Sequence, residues 1–376
     1  MKFAFCLFKY FPYGGLQKDF LRLAGTCLNR GHQVDVFTIS WTGNVPEGIQ
    51  IKTISPRGLT NHRRYLSFSR KIEPYIRAGQ YDAVVGFNKM PGLDVYFAGD
   101  ECYAARAAKK NIAYRLSRRC RTLKFLEQSV FGKEAKTEII SIADTVKKKY
   151  VSYYNTAEDR FHPVPPWIPK NFFIQVNKPG IREDFRNHFL LNQDTFLILM
   201  VGSGFKTKGV DRAIKAVAAL PYQLKQKVLM TVVGRGKTLP YRLLAKRFGV
   251  FPHIHFVGQR EDVARFLAGA DLLLHPAYHE AAGSVLIEAM AAGLPVLATD
   301  VCGFGVYVKK ADAGRLVPSP FEQKTLNNML VSMISSHKLV QWGQNGKKYI
   351  ETTDTYDRHE RAADIIEKVA KEKPVK

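Results

Sequence analysis

Two series of alternating strands and helices, separated by a proline-rich connector, predict an α/β protein of two doubly wound domains. Three observations carry that prediction. Short apolar runs closed by glycine or proline alternate with segments whose apolar residues recur at helical spacing. The stretch 271–299, DLLLHPAYHEAAGSVLIEAMAAGLPVLAT, reads as strand, loop, helix and strand: Pro276 closes the first strand, Ala282-Gly283-Ser284 opens the helix, and Gly293 and Pro295 end it. Pro163, Pro165, Pro166 and Pro169 make a stiff, extended break between the two series.

Length and charge bound the partners. At 376 residues the chain accommodates two domains of roughly 150 residues each. The five cysteines, Cys6, Cys27, Cys102, Cys120 and Cys302, are scattered and form no CxxC or Cys/His cluster. That pattern points to a reducing compartment and away from a disulfide framework or a structural zinc. The opening MKFAFCLFKYFPYGG is interrupted by Lys9 and has no small-residue cleavage site after it, so it reads as a first strand rather than a signal peptide. No run approaches the roughly 20 apolar residues of a membrane-spanning helix. The formal net charge of +24 calls for a polyanionic partner: nucleic acid, an anionic membrane surface or a phosphorylated substrate.

Residues 3–8 form the first buried strand, and the loop after it ends in Gly14-Gly15. The next helix carries Phe20, Leu21, Ala24, Cys27 and Leu28 on one face; Gly31 stops it, and 34–40 is a strand. The GxGxxG fingerprint of a dinucleotide site is absent. Further strands fall at 83–87, 95–98 and 138–143, with Asn88, Lys89 and Asp100 just past strand ends, where parallel sheets collect ligands. After the connector, strands are expected at 196–201, 228–233, 254–257, 271–275 and 295–299, with a short addition at 316–317. Helices begin near Gly209, Pro240, Glu261 and Gly283, and the tail from Phe321 is helical. The expected division is 1–165, 170–352 and a C-terminal helix within 353–376 that is a candidate to cross back to the first domain.

The segment 103–126 differs from its surroundings. Arg106, Lys109, Lys110, Arg115, Arg118, Arg119, Arg121 and Lys124 are uninterrupted by any acidic residue, while Ile112, Leu116, Cys120, Leu123 and Leu126 repeat at spacings of four and three. This predicts one basic amphipathic helix. It is either a packed helix with a solvated face or a contact for anionic lipid or a phosphorylated acceptor.

In the second domain, three loops belong at the carboxyl ends of adjacent strands: 202–209 with Gly202, Lys206 and Lys208, 234–236 with Gly234, and the loop of Glu280. Glycines followed by lysines at a helix start suit a diphosphate without a metal, although the Walker A pattern is not matched. The backbone N–H groups of Gly283, Ser284 and Val285 face an anion with the positive end of the helix dipole behind them. Glu280 and Glu288 bracket this helix start. Two roles fit them: hydroxyl binders beside a diphosphate, or the acid and base of a glycosidase. A basic nucleic-acid- or membrane-binding protein without transferase activity is the reading from another class, but no aromatic RNA motif or zinc finger accompanies the charge.

Glu280-Ala-Ala-Gly-Ser-Val-Leu-Ile-Glu288, with Gly293-Leu-Pro295-Val after it, resembles the E-x7-E motif of the retaining family 4 glycosyltransferases. The 202–209 loop and the 234–236 turn are similar to that family's donor-phosphate loop and glycine turn. FCLFKYFPYGGLQ at 5–17, GFNKMPGLDVYF at 86–97 and LLHPAY at 273–278 resemble the family's members that glucosylate the lipopolysaccharide core. The resemblance implies a GT-B architecture, two Rossmann-like domains facing a central cleft. It also implies UDP-glucose as donor, an inner-core heptose of lipopolysaccharide as acceptor, and no metal, cofactor or nucleic acid. The enzyme would be peripheral on the cytoplasmic face of the inner membrane.

Residue by residue, the resemblance puts Glu280 on the hydroxyls of the donor sugar and Glu288 on the ribose of UDP. Gly283 and Ser284 would donate N–H groups to that sugar or to the diphosphate, with Ala282 and Val285 beside them. Lys208, with Lys206, would neutralise the leaving phosphate, and Gly202 and Gly234 would line its loop. Gly14 and Gly15 would border the diphosphate from the first domain, where Asp19 and Asp100 match acidic positions of the cleft. The family usually carries an arginine near Thr207, where this chain has Lys206.

Overall fold

The structure, a computed structural model, describes residues 1–12, 14–353 and 355–373. The chain forms two units: Met1–Pro165 together with the segment from Asp357 onward, and Pro166–Tyr356. Each is built on one sheet whose described pairings are all parallel.

The first sheet comprises β1 (Lys2–Tyr10), β2 (Gln33–Trp41), β3 (Ile49–Thr53), β4 (Ala83–Gly86), β5 (Val95–Ala98), β6 (Glu138–Ser141) and β7 (Phe161–Pro163), in the order β3-β2-β1-β4-β5-β6-β7. The unbroken apolar run of β1 follows from its central place, with Phe3, Phe5 and Leu7 buried as fully as Ala4 and Cys6. The order reverses between β1 and β4. There Phe8 N–H, near the end of β1, donates to Asn88 Oδ1 in the loop after β4 at 2.7 Å.

The second sheet comprises β8 (Phe196–Val201), β9 (Val228–Val233), β10 (Ile254–Gly258), β11 (Leu272–His275), β12 (Val296–Thr299) and β13 (Gly314–Val317), in the order β10-β9-β8-β11-β12-β13. Its reversal lies between β8 and β11. Met230, Val232, Leu272, Leu274 and Leu297 from its strands share one core with Ile214, Val217, Leu330 and Trp342 from helices.

Two expectations need correction. The proline-rich connector begins later than the sequence suggests, because Phe161–Pro163 is already the edge strand β7; an edge tolerates Pro163, which has no N–H to give. The basic segment is not one helix but three: Tyr103–Ala108, Ile112–Leu116 and Arg118–Phe131. Asn111 and Ser117 break it. Each adopts an extended backbone and accepts a hydrogen bond on its side chain, from Tyr114 N–H and Cys120 N–H, so each restarts a helix. The apolar stripe is divided accordingly. Cys120 and Leu126 are buried, whereas Ile112 and Leu116 are 73% and 68% exposed.

The helix Arg358–Glu372 packs on the helix Gly15–Asn29 of the first unit, burying Ala362, Ala363 and Ile366. Ion pairs fix its azimuth. Arg30 reaches Glu360, Asp364 and Glu367, His32 contacts Glu367 at 3.0 Å, and Lys373 contacts Asp94 at 2.8 Å.

Candidate active site

In the second unit the loops after β8 and β11 flank the point where the strand order reverses, the position at which open parallel sheets bind ligands. Their backbones are stitched together. Tyr278 N–H donates to Thr207 O at 2.8 Å, and Arg212 donates to the carbonyls of Pro276 and Ala277 at 3.2 and 3.0 Å while stacking on Tyr278. Gly209, at φ +74°, makes this approach possible, because a Cβ there would lie 2.0 Å from Pro276 O.

On this frame five of the expected residues form a continuous chain of contacts. Gly234, at φ +141°, lies against Gly202, whose carbonyl oxygen would be 2.3 Å from a Cβ at 234. The stem of Lys208 runs over Gly202, with Cε 3.0 Å from the place a Cβ would occupy. The Lys208 ammonium pairs with Glu280 Oε2. Glu280 Cγ in turn lies 3.2 Å from the position of a Cβ on Gly283, the left-handed residue that opens the helix Ser284–Ala291. Its N-cap position is Gly283, which has no side chain to cap the helix. Ala282 accepts from Phe304 N–H at 2.7 Å, and Glu288 is half-buried just over one turn into the helix behind Ser284 and Val285. Lys206 is exposed on the short helix Phe205–Lys208.

Replacing Gly234 with alanine is expected to cost about 3 kcal/mol and to displace the Gly202 backbone from under Lys208. Urea unfolding combined with an activity assay checks this; wild-type values for both would contradict the packing.

His275 completes the cluster. It is fully buried at the end of β11, and its Nε2 lies 3.1 Å from Glu280 Oε2. A carboxylate only accepts, so Nε2 carries the proton. Burial pushes the imidazole towards its neutral form despite Glu280, which leaves Nδ1 an acceptor with no partner among the described residues. Burial would also raise the Glu280 carboxyl. The hydrogen bond from His275 and the charge of Lys208 outweigh it and bring the pKa down to about 2.

The stability consequence has a definite sign. The unfolded carboxyl titrates near 4.5, so between 4.5 and about 2 the unfolded chain holds more protons, and stability falls as pH falls through that window. Above it the full contribution, about 3 kcal/mol at most, is present. Urea midpoints from pH 6 to pH 3 should fall more steeply for wild type than for Glu280→Gln; parallel curves would contradict the cluster.

The first unit carries a second cluster at the carboxyl end of β5. Asp100, half exposed, accepts from Tyr96 Oη–H and pairs with Lys89 at 3.1 Å. Lys89 also pairs at 2.7 Å with Glu127, which is 0% exposed. Glu127 additionally accepts from the N–H groups of Tyr103 and Ala104 at 2.7 Å and from Tyr154 Oη–H at 2.8 Å. Burial works against the Lys89 ammonium, but Asp100 and Glu127 more than restore it, so Lys89 stays charged. No motif in the sequence marks Glu127. Its signal was a carboxylate set among the apolar residues Leu123, Leu126 and Val130 of one helix.

Gly14 and Gly15 stand where β1 passes into the helix Gly15–Asn29, and a Cβ on Gly14 would strike the Gln17 side chain. Asp19 is occupied within the first unit, its Oδ1 accepting from Arg358 at 3.3 Å and contacting His359 Nε2 at 3.1 Å. Arg115, Arg118, Arg119 and Arg121 are exposed and Lys124 is half-buried. Among the described residues no group of three or more His, Cys, Asp and Glu side chains is placed to hold a metal ion.

Residues 181–349 match the model of the family "Glycosyl transferases group 1". The chain is 42% identical over 365 residues to the lipopolysaccharide glucosyltransferase WaaG of Escherichia coli, covering 96% of this chain and 98% of that protein. It is 31% identical to a D-inositol 3-phosphate glycosyltransferase of Mycobacterium marinum over 48% of this chain and 38% of that one. Among solved structures, that of WaaG, described as a glycosyltransferase involved in lipopolysaccharide biosynthesis, superposes with a TM-score of 0.91 at 42% identity, covering 97% of this chain and 99% of that one. An Anabaena protein in complex with UDP and glucose shares the fold, with a TM-score of 0.75 at 18% identity over 99% of this chain and 100% of that one.

Proposed function

Because the chain belongs to the group 1 glycosyl transferases, we propose that it transfers glucose from UDP-glucose to an inner-core heptose of lipopolysaccharide, with retention of configuration and without a metal. It is a glycosyltransferase of GT-B type, built of two Rossmann-like units. The choice of sugar and acceptor is supported by the near full-length likeness to a lipopolysaccharide glucosyltransferase. The observation that carries the chemistry is the Glu280–Lys208–His275 cluster beside an uncapped helix start.

In this mechanism the N–H groups at Gly283 and Ser284, with Lys208 and Lys206, stabilise the charge that grows on the β-phosphate as its bond to the anomeric carbon breaks. The acceptor hydroxyl attacks the same face, its oxygen bonds the anomeric carbon, and its proton passes to the departing phosphate oxygen. Glu280 holds sugar hydroxyls and Glu288 the ribose. A carboxyl whose pKa lies at about 2 is a poor general acid at neutral pH, which favours hydroxyl binding over a glycosidase role. Acceptor binding is assigned to the first unit.

Transfer is expected to persist in excess chelator, and UDP is expected to raise Tm. Activity abolished by chelation and restored by magnesium would overturn the metal-free mechanism, and the absence of any UDP effect on Tm would favour the glycosidase reading. The exposed Ile112, Leu116 and Phe125 among Arg115, Arg118, Arg119 and Arg121 support peripheral attachment to the anionic cytoplasmic face of the inner membrane. No helix of the described residues is long and apolar enough to cross a membrane.

A further inference from the structure

The most exposed large apolar side chain of the first unit lies outside the basic segment. Leu59 is 99% exposed at the tip of the turn before the helix Asn61–Ala78. The turn is firmly built. Arg57 N–H donates to Ser67 Oγ at 2.8 Å, and Lys71 Nζ donates to Ser55 O at 2.7 Å. Gly58, at φ +118°, packs so closely on the helix that a Cβ there would lie 2.8 Å from Arg63 Cβ. The helix itself is seated on the first sheet, with Tyr65 stacked on Phe8 at 4.1 Å and Phe68 and Ile72 buried. A leucine held out by such a scaffold is presented, not left over.

Its surroundings are cationic. No acidic residue falls between Glu47 and Glu73, while Arg57, Arg63, Arg64, Arg70 and Lys71 do; Lys52 in the same stretch is paired with Asp35. The helix Asn61–Ala78 packs on the helix Arg118–Phe131, and Arg119 lies close enough to His62 to disfavour its charged form, after burial and ahead of Arg63. The basic surface of 103–126 therefore continues onto this second element.

We infer that the Gly58–Thr60 turn is a second membrane contact, Leu59 entering the interfacial layer of an anionic bilayer while the flanking arginines meet its phosphates. The inference rests on the membrane reading above and extends it to a separate element. A soluble phosphorylated saccharide would satisfy the arginines but offer nothing to an exposed leucine, so the bilayer is the better match.

Full-length protein is sedimented with vesicles of phosphatidylglycerol and phosphatidylcholine, and with phosphatidylcholine alone, across a salt series. Leu59→Ser removes apolar insertion without adding charge, and with the side chain already in solvent its Tm should equal wild type. It is expected to weaken partitioning to the anionic vesicles roughly ten-fold. Leu59→Trp fluorescence is expected to be quenched by brominated lipid. Loss of Arg115, Arg118 and Arg119 together should weaken binding and flatten its salt dependence. If Leu59→Ser binds as wild type, or Leu59→Trp is not quenched, while the triple variant loses binding, the second contact is wrong and the first stands. Wild type that ignores anionic vesicles, or binds neutral ones equally, overturns the membrane reading as a whole.

Discussion

Replacing Lys208 with alanine is expected to lower kcat by about 10²–10³-fold, with the KM for acceptor close to wild type. Two losses combine. The leaving β-phosphate loses a cation, and Glu280 loses one of the two groups that hold it ionised and in place. The lysine is pre-positioned: its stem lies on Gly202, and Gly234 supports that glycine from below. Lys208→Arg should recover only part of the rate, because a planar guanidinium fork does not fit over Gly202 as an ammonium on a flexible stem does. Steady-state kinetics with UDP-glucose and acceptor varied in turn provides the check. A rise in KM alone, with kcat unchanged, would mean that Lys208 binds ground and transition state equally and would remove it from the chemistry.

The second large effect is on stability. Glu127→Ala is expected to cost about 3–5 kcal/mol, because it strands the buried Lys89 ammonium and removes the acceptor for Tyr103 and Ala104 N–H. Pairing it with Lys89→Met should restore part of the loss, since two apolar side chains leave no uncompensated charge. Urea unfolding of the single and double variants tests this. A double variant no more stable than Glu127→Ala would show that the backbone contacts dominate and not the ion pair. Asp100 shares Lys89, so the single variant should also lower activity at permissive temperature.

What the sequence made legible follows from burial. The central strands of the second sheet, β8, β11 and β12, are apolar runs because both faces are covered, and β9 departs from one only at Thr231, so their bounds are legible in the sequence within a residue or two. The strands that escaped notice are edges. Ile49–Thr53 has only Ile49 fully buried, and Phe161–Pro163 is three residues long with a proline. The helix Asn61–Ala78 escaped too, being largely polar and carrying Pro74 inside it. Within the candidate site, the glycine-lysine loop and the Glu280/Glu288 spacing were readable because they are local. The pairing of Lys208 with Glu280, 72 positions apart, was not, nor was that of Lys89 with Glu127, 38 apart. His275 carries no local signal for its role, and only the structure shows the carboxylate it holds. In the basic segment, composition revealed the charge, but two capping side chains decided where the helices end.

The central claim is tested most directly by offering a panel of nucleotide sugars with a lipopolysaccharide acceptor truncated at its inner-core heptoses, and determining the anomeric configuration of the product by NMR. Transfer from UDP-glucose to give an α-linked glucosyl heptose, with other donors turned over much more slowly, is the predicted result. A β-linked product, or hydrolysis of UDP-glucose without transfer to the heptose, would contradict it.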